Sequence, residues 1–146
     1  MSAALVPLVW IPGEPKGQPR PRAFAFKGKA RVYDPGTAEG FKGAVALAVR
    51  PFLPAQPIEC PLSVRVFCHF QRPKSHYTKK GLRPTAPSHH TSTPDADNVL
   101  KSVCDALTGV GLWRDDSQVA RAEIRKEYGD TPGCWLEVRV IEETTA

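Results

Sequence analysis

The placement of proline divides this chain before any other feature is read. Eleven of the 15 prolines fall within residues 12–21, 51–61 and 84–94. Proline lacks a backbone donor and clashes inside a helix or a central strand. These three segments are therefore predicted to be irregular loops, with the regular elements between them. The chain has 146 residues, of which 41% are hydrophobic and 24% charged. That is material for one soluble domain, residues 1–146, with a single core.

Hydrophobic periodicity assigns the pieces between the loops. Leu5–Ile11 reads as a first strand within the apolar run Ala3–Ile11. Pro7 interrupts that run, which is far short of the ~20 residues of a membrane helix. No basic segment precedes it, as one would in a secretory signal. Ala23–Phe26 and Ala30–Tyr33 flank Lys27-Gly28-Lys29 and predict a hairpin. Pro35–Arg50 carries Phe41, Val45, Ala48 and Val49 at helical spacing, with Thr37 as N-cap and Pro51 past the end. In Leu62–Gln71 the residues Leu62, Val64, Val66, Cys68 and Phe70 alternate with Ser63, Arg65, Phe67, His69 and Gln71, a strand with its even face in the core.

Residues 72–94 follow as a long basic loop with no secondary structure of its own. A second helix is predicted over Asn98–Leu107. Alternation at Ala120–Tyr128 and Leu136–Ile141 predicts two more strands, joined by a turn at Gly129–Gly133. The predicted fold class is α/β (α+β): a single mixed or largely antiparallel sheet with about two helices packed on one face. Cys60, Cys68, Cys104 and Cys134 form no C-x-x-C pair, and three of them sit in apolar patterns. Reduced thiols, no structural zinc and a cytoplasmic location are the expectations.

The net charge of +5 is a sum of opposites. Residues 16–50 contribute +6 and residues 72–101 contribute +4, while residues 102–146 contribute −4 and the remainder −1. The first basic segment holds Lys16, Arg20, Arg22, Lys27, Lys29 and Arg31, and the second includes Lys74, Lys79 and Lys80. Interleaved with Phe24, Phe26, Tyr33 and Tyr77, these point to a nucleic-acid partner. Charge alone separates neither DNA from RNA nor a binder from an enzyme.

Chemistry enters at Thr93-Pro94-Asp95-Ala96-Asp97-Asn98, Lys101 and Asp115-Asp116. In an extended segment Asp95 and Asp97 would face one side, roughly 6–7 Å apart. Asp97 takes the N-cap position, and Lys101 lies one helical turn further on. Converging carboxylates repel unless a cation joins them. With a third from the Asp115-Asp116 corner they describe an oxygen-rich site for Mg²⁺, or Mn²⁺ in its place. Adjacent residues in an extended corner point opposite ways, so only one of Asp115 and Asp116 is expected to bind metal directly. Singly, each residue has an ordinary role: Asp97 a helix cap, Asp115-Asp116 a solvated turn, Lys101 a surface partner of Asp97 or Asp105.

The series Pro94-Asp95-Ala96-Asp97-Asn98-Val99-Leu100-Lys101, Asp105-Ala106-Leu107-Thr108-Gly109 and Asp115-Asp116-Ser117-Gln118-Val119 resembles the signature of the RusA family of Holliday-junction resolvases. Gly13-Glu14-Pro15-Lys16 with Arg20-Pro21-Arg22 is similar to the basic opening after that family's first strand. The resemblance implies a homodimeric, magnesium-dependent endodeoxyribonuclease that nicks two strands of a four-way DNA junction symmetrically, in recombination and repair. It implies Asp95, Asp97 and Asp116 as the metal-binding carboxylates and Lys101 as the catalytic lysine. It is compatible with a bacterial, phage or prophage source.

Two other readings stand beside it. One is a non-catalytic nucleic-acid-binding protein, which two carboxylates amid a basic surface speak against. The other is a metal-dependent nuclease acting on other branched or duplex DNA. A PD-(D/E)xK nuclease would need lysine where Glu123-Ile124-Arg125 and Glu137-Val138-Arg139 place arginine. His89 and His90 are either surface histidines of an ordinary loop or groups that assist proton transfer near neutral pH.

Overall fold

The computed structural model describes residues 3–18, 22–26, 29–33 and 38–142, with the backbone alone for residues 3, 22–26 and 29–33. In chain order the elements are β1 (Ala3–Pro12), β2 (Arg22–Phe26), β3 (Lys29–Tyr33), α1 (Glu39–Val49), β4 (Leu62–Gln71), β5 (Tyr77–Thr78), β6 (Gly81–Leu82), α2 (Ala96–Gly109), β7 (Val119–Gly129) and β8 (Gly133–Val140). Four strands make the main sheet in the order β1-β8-β4-β7, and β2 with β3 forms a separate antiparallel ribbon. The mixed α+β class and each long strand follow the periodicity of the sequence.

β4 is central, antiparallel to β8 on one side and parallel to β7 on the other. Its even residues, Leu62 to Phe70, are at most 1% exposed. They join Phe41, Val45 and Val49 of α1 and Val99, Val103 and Leu107 of α2 in one core. The odd residues of β4 meet a different environment. Arg65 bonds Glu123 at 3.2 Å and Glu137 at 3.5 Å, and Arg139 bonds Glu137 at 3.1 Å. The guanidinium groups of Arg65 and Arg125 also lie 4.9 and 4.6 Å from the centre of the Phe67 ring. Pairing in this way is what allows Glu137 to be buried.

Several expectations need correction. The turn between β7 and β8 is present, but the two strands do not pair with each other. They flank β4, and residues 130–132 carry the chain across its end. Both flanking glycines are there for close approach. A Cβ at Gly129 would stand 2.8 Å from Nδ1 of His69, and one at Gly133 would stand 2.7 Å from the carbonyl oxygen of Ile11. α1 starts at Glu39 with Ala38 as its N-cap, and Thr37 lies outside the described residues. α2 starts two residues earlier than expected, with Asp95 and not Asp97 as N-cap.

The 72–94 segment is not structureless. It holds a 3-10 turn at Lys74–His76 and the two-residue ribbon β5–β6. Its last part pairs with the outer edge of β7: His90 N–H donates to the Lys126 carbonyl, Tyr128 N–H to the Ser88 carbonyl, each at 2.9 Å. That pairing covers a sheet edge that would otherwise stand open. No helix among the described residues is long and apolar enough to cross a membrane.

Gly133→Ala tests the crossing turn. The added methyl has no room against Trp10 and the Ile11 backbone. Destabilisation of about 1–3 kcal/mol is expected from the urea unfolding midpoint.

Candidate active site

The cleft of interest forms where the chain leaving β1 meets the start of α2. It has a volume of about 490 Å³ and is lined in part by Glu14, Lys16, Gln18, Phe70, Asp95 and Asn98. Gln18 N–H donates to the Asn98 carbonyl at 2.9 Å. A Cβ on Gly17 would lie 3.0 Å from Cβ of both Pro94 and Asn98, so glycine lets this segment close onto the helix start. The Thr93–Pro94 peptide is cis.

Asp95 occupies the N-cap of α2 in extended conformation, yet its side chain makes no capping hydrogen bond. The residue lines the cleft. Asp97 lies in the first turn of α2 and is exposed. The two are thus not side by side on an extended strand, as their spacing suggested. They share a helix N-terminus, whose partial positive charge favours anions.

Asp115 and Asp116 differ in their surroundings. Asp115 caps the 3-10 turn Asp116–Gln118: its Oδ2 accepts from Ser117 N–H at 3.0 Å. Those hydrogen bonds from Ser117 hold its carboxyl below the usual carboxylate range. Asp116 is exposed and close enough to Cys104 to act on it. Burial pushes the Cys104 thiol up to about 12, with Asp116 and Asp105 adding to the rise and Lys101 opposing it. Asp97, Lys101 and Cys104 are spaced i, i+4, i+7 on one face of α2. The 3-10 turn that carries Asp116 follows α2 in the chain and packs against it.

Lys101 is paired within its own helix. Its ammonium bonds Asp105 Oδ1 at 3.3 Å, and with that side chain 58% exposed the pair is weak and easily released. Among the described residues no three His, Cys, Asp or Glu side chains gather closely enough to hold an ion. The donor chemistry of Asp95, Asp97 and Asp116 suits a hard cation that keeps its waters, because all three carboxylates are exposed. The structure brings the first two to one helix end, and the third is presented by the 3-10 turn Asp116–Gln118.

The basic residues also sort themselves. Lys16 is exposed at the cleft. In the 72–94 segment Arg72 and Arg83 hold the loop together, bonding the carbonyls of Pro87 at 2.7 Å and Ser75 at 2.9 Å. Lys74, Lys79 and Lys80 stay exposed, the last two at the tip of β5–β6. Arg22, Lys29 and Arg31 lie on the β2–β3 ribbon, while Arg20 and Lys27 fall outside the described residues.

The family pattern of Endodeoxyribonuclease RusA matches residues 12–140. The chain belongs to the RusA family. A Bacillus subtilis (strain 168) relative, named only as the uncharacterized protein YqaN, is 34% identical over 132 residues, covering 88% of this chain and 92% of that one. Within the RusA motif of this chain, Gln118 has a role that spacing did not reveal. Its Oε1 accepts from the N–H groups of Arg114 and Asp115 at 3.1 and 2.8 Å. Its Nε2 donates to the carbonyls of Ile58 and Cys60 at 2.8 and 3.0 Å. One side chain therefore ties the corner that presents Asp116 to the proline-rich segment before β4. Gln118→Ala removes four bonds worth roughly 0.5–1.5 kcal/mol each and is expected to cost about 2–4 kcal/mol in chemical denaturation.

His90 is a second residue whose place was open. Its ring stacks on Phe70 with centroids 3.8 Å apart, and its buried Nδ1 has no hydrogen-bond partner. Burial, reinforced by Lys126, lowers its pKa below the ordinary histidine value. His89 is exposed, beside Ser88. Folded His90 stays neutral where the unfolded chain is protonated, so it weakens the fold as pH drops below ~6.5. His90→Phe should keep the stack and show a smaller fall in thermal midpoint between pH 8 and pH 5 than wild type.

Proposed function

We propose that this chain is a magnesium-dependent endodeoxyribonuclease that resolves four-way DNA junctions. In this reading it works as a homodimer, with helices covering one face of each sheet, and cuts two strands by paired symmetric nicks. It serves recombination and repair in the cytoplasm, on bacterial, phage or prophage DNA. The observation that carries the reading is Asp95: an N-cap aspartate that leaves the cap unmade and faces a cleft beside Lys16 and Asn98, inside a RusA motif.

Each residue then has a task. Asp95, Asp97 and Asp116 are the oxygen ligands for the cation, Mg²⁺ or Mn²⁺. When bound, such an ion polarises the scissile phosphate and makes a water more acidic. The α2 N-terminus lowers the cost of holding Asp95 and Asp97 charged together. Lys101, released from its exposed pair with Asp105, stabilises charge developing on the phosphate. Lys16, Arg20, Arg22, Lys27, Lys29 and Arg31, with Lys74, Lys79 and Lys80, grip the DNA backbone.

The deciding experiment compares four-way junction, linear duplex and flap DNA with and without magnesium. Wild type is expected to cut the junction only with the metal. Asp97→Asn is expected to abolish cutting while binding persists or tightens, because a negative charge facing phosphates is removed. Cleavage at the parental rate by Asp97→Asn would overturn the carboxylate mechanism. Binding without any cutting by wild type would favour a non-catalytic binder.

A further inference from the structure

The core-facing side of β7 carries Ile124, Lys126 and Tyr128 in succession, and the lysine does not belong there by hydropathy. The stem of such a lysine lies along apolar surface and loses rotamer freedom, while its head group stays at the exposed edge of the strand. Its acceptor is the Ser92 carbonyl, which the Lys126 ammonium meets at 2.7 Å. The backbone carbonyl of the same residue accepts from His90 N–H at 2.9 Å. Lys126 thus grips the 88–92 segment twice, from its main chain and from its side chain. Only Thr93 and Pro94 separate this grip from Asp95.

Packing around the grip leads to the same cleft. The Lys126 ammonium stands 5.9 Å from the centre of the Phe70 ring. That ring lines the cleft, and the His90 ring covers it by stacking. Tyr128 closes the outer side, edge-on to His90 at 5.1 Å and to His76 at 4.8 Å, with the Arg72 guanidinium 5.3 Å from its own ring. The 72–94 segment is fastened to β7 along this row. Asp95 itself makes no capping bond to the helix it starts. Its main-chain carbonyl accepts from Val99 N–H at 3.1 Å, so its backbone is fixed by the helix on one side and by the chain that leads into it on the other.

We propose that Lys126 is a positioning residue for the nuclease reaction: through the Ser92 carbonyl it holds the 88–94 segment so that Asp95 is presented to the metal and the DNA. The role rests on the metal-dependent nuclease reading above. Lys126 touches neither substrate nor cation in it. Groups one shell away from metal ligands commonly change affinity or rate about 10–100-fold when replaced.

The test compares wild type, Lys126→Met and Lys126→Arg. Methionine keeps the apolar stem and removes the donor, whereas arginine keeps a donor. The readouts are Mn²⁺ affinity by electron paramagnetic resonance, single-turnover cutting of a four-way junction, junction affinity, amide exchange over residues 88–95, and thermal midpoint. Lys126→Met is expected to bind Mn²⁺ and cut about 10–100-fold more weakly. It should show faster exchange over 88–95, with junction affinity and thermal midpoint near wild type, and Lys126→Arg should recover most of the loss. Unchanged Mn²⁺ affinity and cutting in Lys126→Met, beside an active wild type, would overturn the Lys126 role and leave the nuclease reading standing. A loss of cutting matched by an equal loss of junction affinity would overturn it too, making Lys126 a DNA contact. A wild type that neither binds Mn²⁺ nor cuts any DNA would sink the nuclease reading itself, and the positioning role with it.

Discussion

Everything in this molecule is referred to one strand hydrogen-bonded on both edges. β4 pairs with β8 along one side and β7 along the other, and its even side chains form the centre of the core. Because the side-chain period of a strand is two, a one-residue slip would turn Leu62, Val64, Val66, Cys68 and Phe70 away from the helices. It would also carry Arg65, Phe67 and His69 into the core. The register is therefore held by burial on one face and by the Arg65–Glu123–Glu137 pairing on the other. Phe70, at the end of this strand, is where the core becomes the cleft wall.

Local periodicity exposed much of this architecture. The alternation of β4 appears unchanged in the structure, and α2 covers the predicted run with two residues more at each end. Non-local information was hidden. Gly129–Gly133 reads as an ordinary turn between two strands, because nothing in its residues says that a third strand lies between them. Arg72 and Arg83 count as basic residues of a DNA-facing loop until their bonds to Pro87 and Ser75 show them folding that loop. The 72–94 segment looked structureless because its order comes from main-chain pairing with β7, which no side-chain pattern records.

At the site, residue types were legible and their geometry was not. Asp95 and Asp97 were singled out by a spacing that means one side of a strand, yet the helix begins between them. At the Asp115-Asp116 corner, where one direct metal ligand is expected, Asp115 is held by Ser117 N–H and Asp116 is exposed. That Asp116 stands close enough to Cys104 to act on its thiol is a tertiary fact. Lys126 had a signal that went unused: a charge in register with Ile124 and Tyr128 on a strand.

Two aspartates, both at N-cap positions, show how the fold separates structure from chemistry. Asp115 spends its carboxylate on Ser117 N–H, and the same bonds favour its charged form. Asp95 opens a much longer helix and leaves that bond unmade. A cap is worth typically ~1 kcal/mol, so α2 starts with a deficit that the charge of Asp97 in its first turn helps to offset. The deficit is tolerable because the start of α2 is braced from outside, by Gln18 on the Asn98 carbonyl and by the 88–94 segment fastened to β7. A carboxylate released from capping by external bracing keeps its lone pairs for a ligand. In the nuclease reading proposed above, a cation is the ligand that would join Asp95 to phosphate.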